Sequence, residues 1–156
     1  MKFEIKNLIN ENSIFLNVQG QSHDEVLENI CIMLEKNNFI ENAQKFFNAL
    51  IYRENIMSTA LNDQIAVPHG ISSTVLKPFV ALVRLENEID WNAKDNKPVK
   101  LLFVIGTSKT DRDHQIDILQ MISLLSLDEQ LIEFFLKTND TEKIKNMIDE
   151  KDLYIY

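Results

Sequence analysis

A single cysteine, Cys31, rules out an internal disulfide, so this fold must be held without cross-links. Cys31 falls in an apolar helical pattern, where a small buried thiol is expected, and the composition suits a reducing compartment. No apolar run reaches the ~18 residues that a membrane span requires. Met1 to Ile9 alternates charged and apolar residues and lacks the basic-then-apolar order of a signal peptide. The expectation is therefore a soluble, cytoplasmic chain. Basic clusters are missing too. Sixteen Lys and Arg against 24 Asp and Glu leave a net charge of −8, and Lys143 and Lys145 stand among acids, which argues against a nucleic-acid partner. No repeat, low-complexity tract or linker interrupts the sequence. What is present is 45% apolar residue content in 156 residues, the makings of one domain over 1–156 with one substantial core.

Along the chain, β-rich and helical patterns alternate. Ser13 to Val18 reads as a strand that ends at the turn Gln19-Gly20-Gln21. Ser22 and Glu25 have the spacing of a capping box, and Val26, Ile30, Met33 and Leu34 follow at helical intervals up to Asn37 and Asn38. His23, in the first turn, is assigned no role. Asn42 caps a second helix that carries Phe46, Phe47, Leu50 and Ile51 on one face and Arg53 near its end. Phe79 to Leu85 and Val99 to Ile105 are almost continuously apolar, as central strands are. Trp91 reads as a core flap before the polar loop Asn92 to Pro98. After the loop Thr107 to Asp113, a helix is expected from about His114 to Leu127, with Ile116, Leu119, Ile122 and Leu125 among its buried positions. Two further helices close the chain, about Asp128 to Leu136 and Thr141 to Ile148, the last capped by Thr141. Such alternation favours an α/β or mixed-sheet sandwich.

The chemistry points to Arg53 through Gly70. Ile65, Ala66 and Val67 form a brief strand, Pro68 ends it because it cannot donate a ladder hydrogen bond, and His69 is placed on the turn that follows, with Gly70 bending the backbone. An imidazole at a strand end, with an arginine on the preceding segment, suits a nucleophile that picks up an anionic group. The alternatives are a loop histidine without chemistry and, for Arg53, a charge that complements a helix C-terminus. His114 opens its helix among free N–H groups, a place suited to anions, or is simply exposed beside Asp111 and Asp113.

These residues resemble the enzyme IIA component of the fructose and mannitol class of the phosphoenolpyruvate-dependent sugar phosphotransferase system. The likeness covers almost the whole chain and rests on Arg53-Glu54, Ser58-Thr59, Ile65-Ala66-Val67-Pro68-His69-Gly70, the Trp91 to Val99 segment with Asp95 and Pro98, the Leu-Leu-Phe-Val-Ile strand, and His114 at the head of a leucine-rich helix. The resemblance implies a three-layer α/β/α sandwich, a mixed sheet flanked by helices on both sides. It implies a phosphohistidine at His69, formed at Nε2 by transfer from the phosphocarrier HPr and passed to a cysteine of a IIB component, itself coupled to the membrane component IIC. Arg53 and His114 match the positions that border the phosphorylated histidine. In the family scheme the sugar never touches this domain. Relatives commonly carry glycines where this chain has Ala60, Asn62 and Gln64, so a loop that demands positive φ would meet resistance at Ala60 and Gln64.

The chemistry expected is in-line attack on phosphorus by a neutral imidazole nitrogen, with Arg53 and His114 meeting the charge on the phosphoryl oxygens. Ser58 or Thr59 is a candidate to orient the ring, or else makes local backbone bonds. No cofactor or metal is required. A regulatory module that changes partner with its phosphorylation state is the first alternative. A metal-dependent hydrolase using His69 and His114 is the second, and it lacks a close-spaced ligand pair.

Overall fold

Capping residues begin the helices that carry the site. The computed structural model describes residues 3–151 and 154–155. In helix α2 (His23–Lys36) the Ser22 hydroxyl accepts the Glu25 N–H at 3.1 Å. The expected box is only half formed, because the Glu25 carboxylate turns back to the Gln21 N–H at 3.2 Å. Asn37 caps the C-terminus, and Asn38 takes the left-handed conformation, φ 63°. Helix α3 (Ala43–Ile56) starts at Asn42, whose side chain accepts the Lys45 N–H at 2.9 Å. The Thr74 hydroxyl accepts the Asn42 N–H at 2.6 Å and so pins the entry to α3.

The main sheet has five strands: β2 (Ile14–Val18), β3 (Ile65–Ala66), β4 (His69–Ile71), β5 (Phe79–Ile89) and β6 (Val99–Thr107). β5 and β6 pair antiparallel at the centre, with Leu82 opposite Phe103. β2 joins β5 in parallel, with a register shift between Phe15 and Val18 where Asn17 takes φ 59°. β3 and β4 run one after the other along the outer side of β6, both parallel to it. A separate antiparallel pair joins β1 (Phe3–Glu4) and β7 (Tyr154–Ile155).

The central strands are almost continuously apolar over 79–85 and 101–105 because both faces are covered there. Phe79, Ala81, Val83 and Leu85 point to the core under α2 and α3, together with Leu102, Val104 and Trp91. Val80, Leu82, Leu101, Phe103 and Ile105 point the other way, to α1 (Ile5–Leu8), α4 (Asp113–Ser126), α5 (Glu129–Lys137) and α6 (Thr141–Asp149). The expected three-layer sandwich with a mixed sheet is therefore what the chain forms. Cys31 is buried in the first of these cores, and burial pushes its thiol up to about 12. Gly106 lies opposite Phe79, and any Cβ there would overlap the Phe79 ring.

The structure differs from the sequence expectations in several places. β5 and β6 extend beyond the apolar runs, to Ile89 and Thr107, because ladder pairing continues after the pattern stops. α4 is rotated: Ile118, Met121, Ile122 and Leu125 form the buried stripe, whereas Ile116 is 64% exposed and Leu119 half-buried. α6 is capped by Asp140, which accepts the Glu142 and Lys143 N–H groups at 3.0 and 3.2 Å, so Thr141 is the first helical residue and not the cap. Among the described residues, no helix is long and apolar enough to cross a membrane.

Candidate functional site

Pro68 interrupts the edge of the sheet without ending it. Ala66 pairs with Leu102 and His69 with Ile105, three residues further on along both segments, so the register is kept across the break. The Pro68 carbonyl accepts the Ile105 N–H at 2.9 Å. His69 thus lies within a strand and not on the expected turn. Gly70 does not bend the chain either. A Cβ there would stand 3.1 Å from that of Ala49, so glycine lets α3 lie close over β4.

The last turn of α3 consequently sits above His69, whose residue is only 8% exposed. Arg53 donates from Nε to His69 Nε2 at 3.1 Å and from Nη1 to the Met57 carbonyl at 2.6 Å. On its other side, His69 Nδ1 meets the Val67 carbonyl at 2.8 Å. A carbonyl only accepts and a guanidinium only donates, so the proton sits on Nδ1 and the lone pair on Nε2. Burial holds the pKa of His69 below its ordinary value, and the Arg53 charge adds to this against the opposing Val67 bond. Both effects favour the neutral ring, with one defined basic nitrogen.

Ser58 and Thr59 do not touch the ring by their hydroxyls. Ser58 donates to the Trp91 carbonyl, and Thr59 donates to Glu54 Oε2 while accepting the Trp91 indole N–H at 3.3 Å. The Val67 carbonyl orients His69 instead, and the part played by Thr59 is through its backbone, where its carbonyl accepts the Val67 N–H at 3.0 Å. His23 was assigned no role by sequence. Here it bonds Glu54 Oε1 through Nε2 at 3.1 Å, and its ring centroid lies 4.3 Å from that of Trp91.

The loop that lacks the family glycines does use positive φ, at Asp63 (61°) and Gln64 (71°), and not at Ala60 or Asn62. Lys100 and Leu101 N–H groups hold the Gln64 carbonyl at 2.9 and 3.2 Å. His69 opens on a cavity of about 520 Å³ that is also lined by Arg53, Thr59, Lys94, Leu119 and Ser123. Lys94 is a cation that sequence reasoning did not single out. His114 is half-buried in the first turn of α4 and does not line this cavity, which α4 reaches with Leu119 and Ser123. Among the described residues, no three His, Cys, Asp or Glu side chains gather where a metal ion could sit.

Fold and site together define a mixed-sheet α/β domain that presents one lone-pair nitrogen beside a guanidinium. Residues 7–151 match the family model described as the phosphoenolpyruvate-dependent sugar phosphotransferase system, EIIA 2, and the chain belongs to that family. It is 29% identical over 137 residues to the PTS system fructose-like EIIA component of Escherichia coli, covering 88% of this chain and 92% of that one. It is 34% identical over 123 residues to the PTS system fructose-specific EIIABC component of Mycoplasma pneumoniae, 79% of this chain but only 18% of the relative's length. In fold it is similar to the nitrogen regulatory protein IIA-Ntr of Neisseria meningitidis, with a TM-score of 0.83 at 22% identity, covering 92% of this chain and 98% of that one.

Proposed function

We propose that this chain is a cytoplasmic phosphoryl carrier of a sugar phosphotransferase system: His69 Nε2 takes the phosphoryl group from phospho-HPr and passes it to a cysteine of a IIB component, which serves a membrane IIC component. The observation that carries this reading is the opposite engagement of the two ring nitrogens, donor at Nδ1 and acceptor at Nε2. Nε2 attacks phosphorus in line, the N–P bond of the donor breaks, and the ring gains positive charge that the Val67 carbonyl stabilises through Nδ1–H. Arg53 must release Nε2 before this attack, and its N–H donors move to the phosphoryl oxygens, where charge is greatest. The family resemblance assigns His114, in the first turn of α4, to stabilise the same oxygens, a role that requires it to move toward the His69 cavity, which it does not line here. In the second step the cysteine thiolate attacks phosphorus and the lone pair returns to Nε2. No cofactor takes part, and the domain spans 1–156.

Support for a protein as donor comes from the surface. Ile116, Leu124 and Leu127, 64%, 62% and 75% exposed, flank an apolar groove that shares Leu61, Leu119 and Ser123 with the His69 cavity. Support for sugar transport over regulation comes from sequence relatives named as fructose-specific, fructose-like and mannitol-specific components. The likeness to the regulatory protein concerns the fold alone. Incubation with phosphoenolpyruvate, enzyme I and HPr, followed by intact mass and mapping, should show one acid-labile, base-stable phosphate on His69. His69→Ala should accept none; equal labelling of that variant overturns the assignment.

A further inference from the structure

His23 stands outside the His69 cavity yet is joined to its ring. The route runs from His23 Nε2 to Glu54 Oε1 (3.1 Å), from Glu54 Oε2 to the Thr59 hydroxyl, from the Thr59 carbonyl to the Val67 N–H (3.0 Å), and from the Val67 carbonyl to His69 Nδ1 (2.8 Å). Glu54 also follows Arg53 in the last turn of α3, so α3 holds both nitrogens of the His69 ring, one directly and one through this route. The other nitrogen of His23, Nδ1, meets Asp24 Oδ1 at 2.7 Å. Carboxylate oxygens only accept, so a ring with each nitrogen against one satisfies both contacts only as an imidazolium that donates from both.

We propose that His23 is a positioning residue for transfer at His69: as a cation clamped between Asp24 and Glu54, it fixes the Glu54–Thr59–Val67 route that orients the acceptor ring. This rests on the proposed function of His69. The Glu54 side chain is only 5% exposed, and a buried carboxylate is held in one place by the charge and donors around it. Three acids surround the clamp among the described residues: Asp24 lies on α2 itself, Glu54 comes from α3, and Asp90, on the segment before Trp91, lines the same cavity of about 270 Å³. The Arg53 guanidinium is directed to His69, and the Trp91 ring covers one face.

Loss of the proton leaves one N–H for two carboxylates, so the clamp opens on one side. Although burial alone would lower the pKa of His23, Glu54 and Asp24 outweigh it and hold the value above 6.5. The contribution to stability is thus complete below the unfolded value and is lost as pH rises through the raised folded value. The two histidines differ in sign: His69 must be neutral to react, His23 charged to position it. Transfer should therefore have an acid limb from His69 and an alkaline limb from His23.

Rates of phosphoryl acceptance from phospho-HPr are measured across pH for the parent, His23→Gln and His23→Arg. Ring nitrogen resonances of His69 are recorded on the same samples without any donor. Glutamine should lower the rate by roughly tenfold, in the range found when an outer orienting partner is lost, and should remove the alkaline limb. Arginine, a permanent cation with several donors, should restore most of the rate, also without that limb. In the parent, the His69 resonances should shift in step with the titration of His23. A glutamine variant with the parental rate and alkaline limb, or His69 resonances indifferent to His23, overturns the proposal. A parent protein that is never phosphorylated overturns the proposed function instead, while the resonances still report on the clamp.

Discussion

Replacing Arg53 by alanine separates a helix-end charge from a phosphate clamp, because the two roles differ in size. The structural cost is small. A cation in the last turn of α3 contributes ~0.3–1 kcal/mol, and the bond from Nη1 to the Met57 carbonyl, at the exposed end of the helix, adds about 0.5–1.5 kcal/mol. For a chain of this length each kcal/mol moves the melting temperature by roughly 2–4 °C, so Arg53→Ala should melt several degrees lower and remain folded. The kinetic cost is larger. Loss of one donor to the transferring group costs ~2.7–4 kcal/mol, a fall of 10²–10³ in rate. Arg53→Lys keeps the charge but loses the planar fork and the Nε donor that reaches His69, so it should recover only a minor part. Removing the guanidinium also removes one of the causes that lower the pKa of His69, so the acid limb of the alanine variant should move to higher pH. Rapid-quench transfer of radiolabelled phosphate from phospho-HPr, beside thermal unfolding, measures both quantities. Normal transfer by Arg53→Ala would reduce Arg53 to a capping charge, and full transfer by Arg53→Lys would show that a point charge suffices.

His114→Ala should slow relay to a cognate IIB by about 10²–10³ while leaving thermal unfolding nearly unchanged, since a half-buried first-turn residue contributes little to the core; a normal relay rate removes His114 from the mechanism. Gly106→Ala should destabilise the fold by about 1–3 kcal/mol in chemical unfolding, because its Cβ overlaps the Phe79 ring and approaches that of Phe46 to 3.2 Å; an unchanged midpoint would show that the rings give way freely.

Much of this protein is readable residue by residue, and for local reasons. Ser22 and Asn42 mark helix starts because each cap satisfies N–H groups two or three residues away. β5 and β6 are recognisable as central strands because successive side chains face opposite cores and both cores demand apolar groups. Asn38, read as part of a helix stop, takes left-handed backbone, as its short polar side chain allows. The likeness of Arg53, His69 and their flanking motifs to a known family was likewise a matter of residues in order. Tertiary structure decided what no window of sequence contains. His69 lies in a strand and not on a turn because the far end of β6 offers the Ile105 N–H to Pro68 and keeps the register. Its tautomer is set by Val67 and Arg53 together, one two residues away and the other delivered by a separate helix. The hydroxyls of Ser58 and Thr59 left the ring for Trp91 and Glu54, and His23 gained a partner 31 residues distant. α4 turned Ile116 outward because the sheet beneath it, and not the helix's own apolar count, chose the buried stripe. Caps and alternation act over a few residues and so are written in the local order of the chain. Hydrogen-bond partners drawn from separate elements are chosen only when packing brings those elements together.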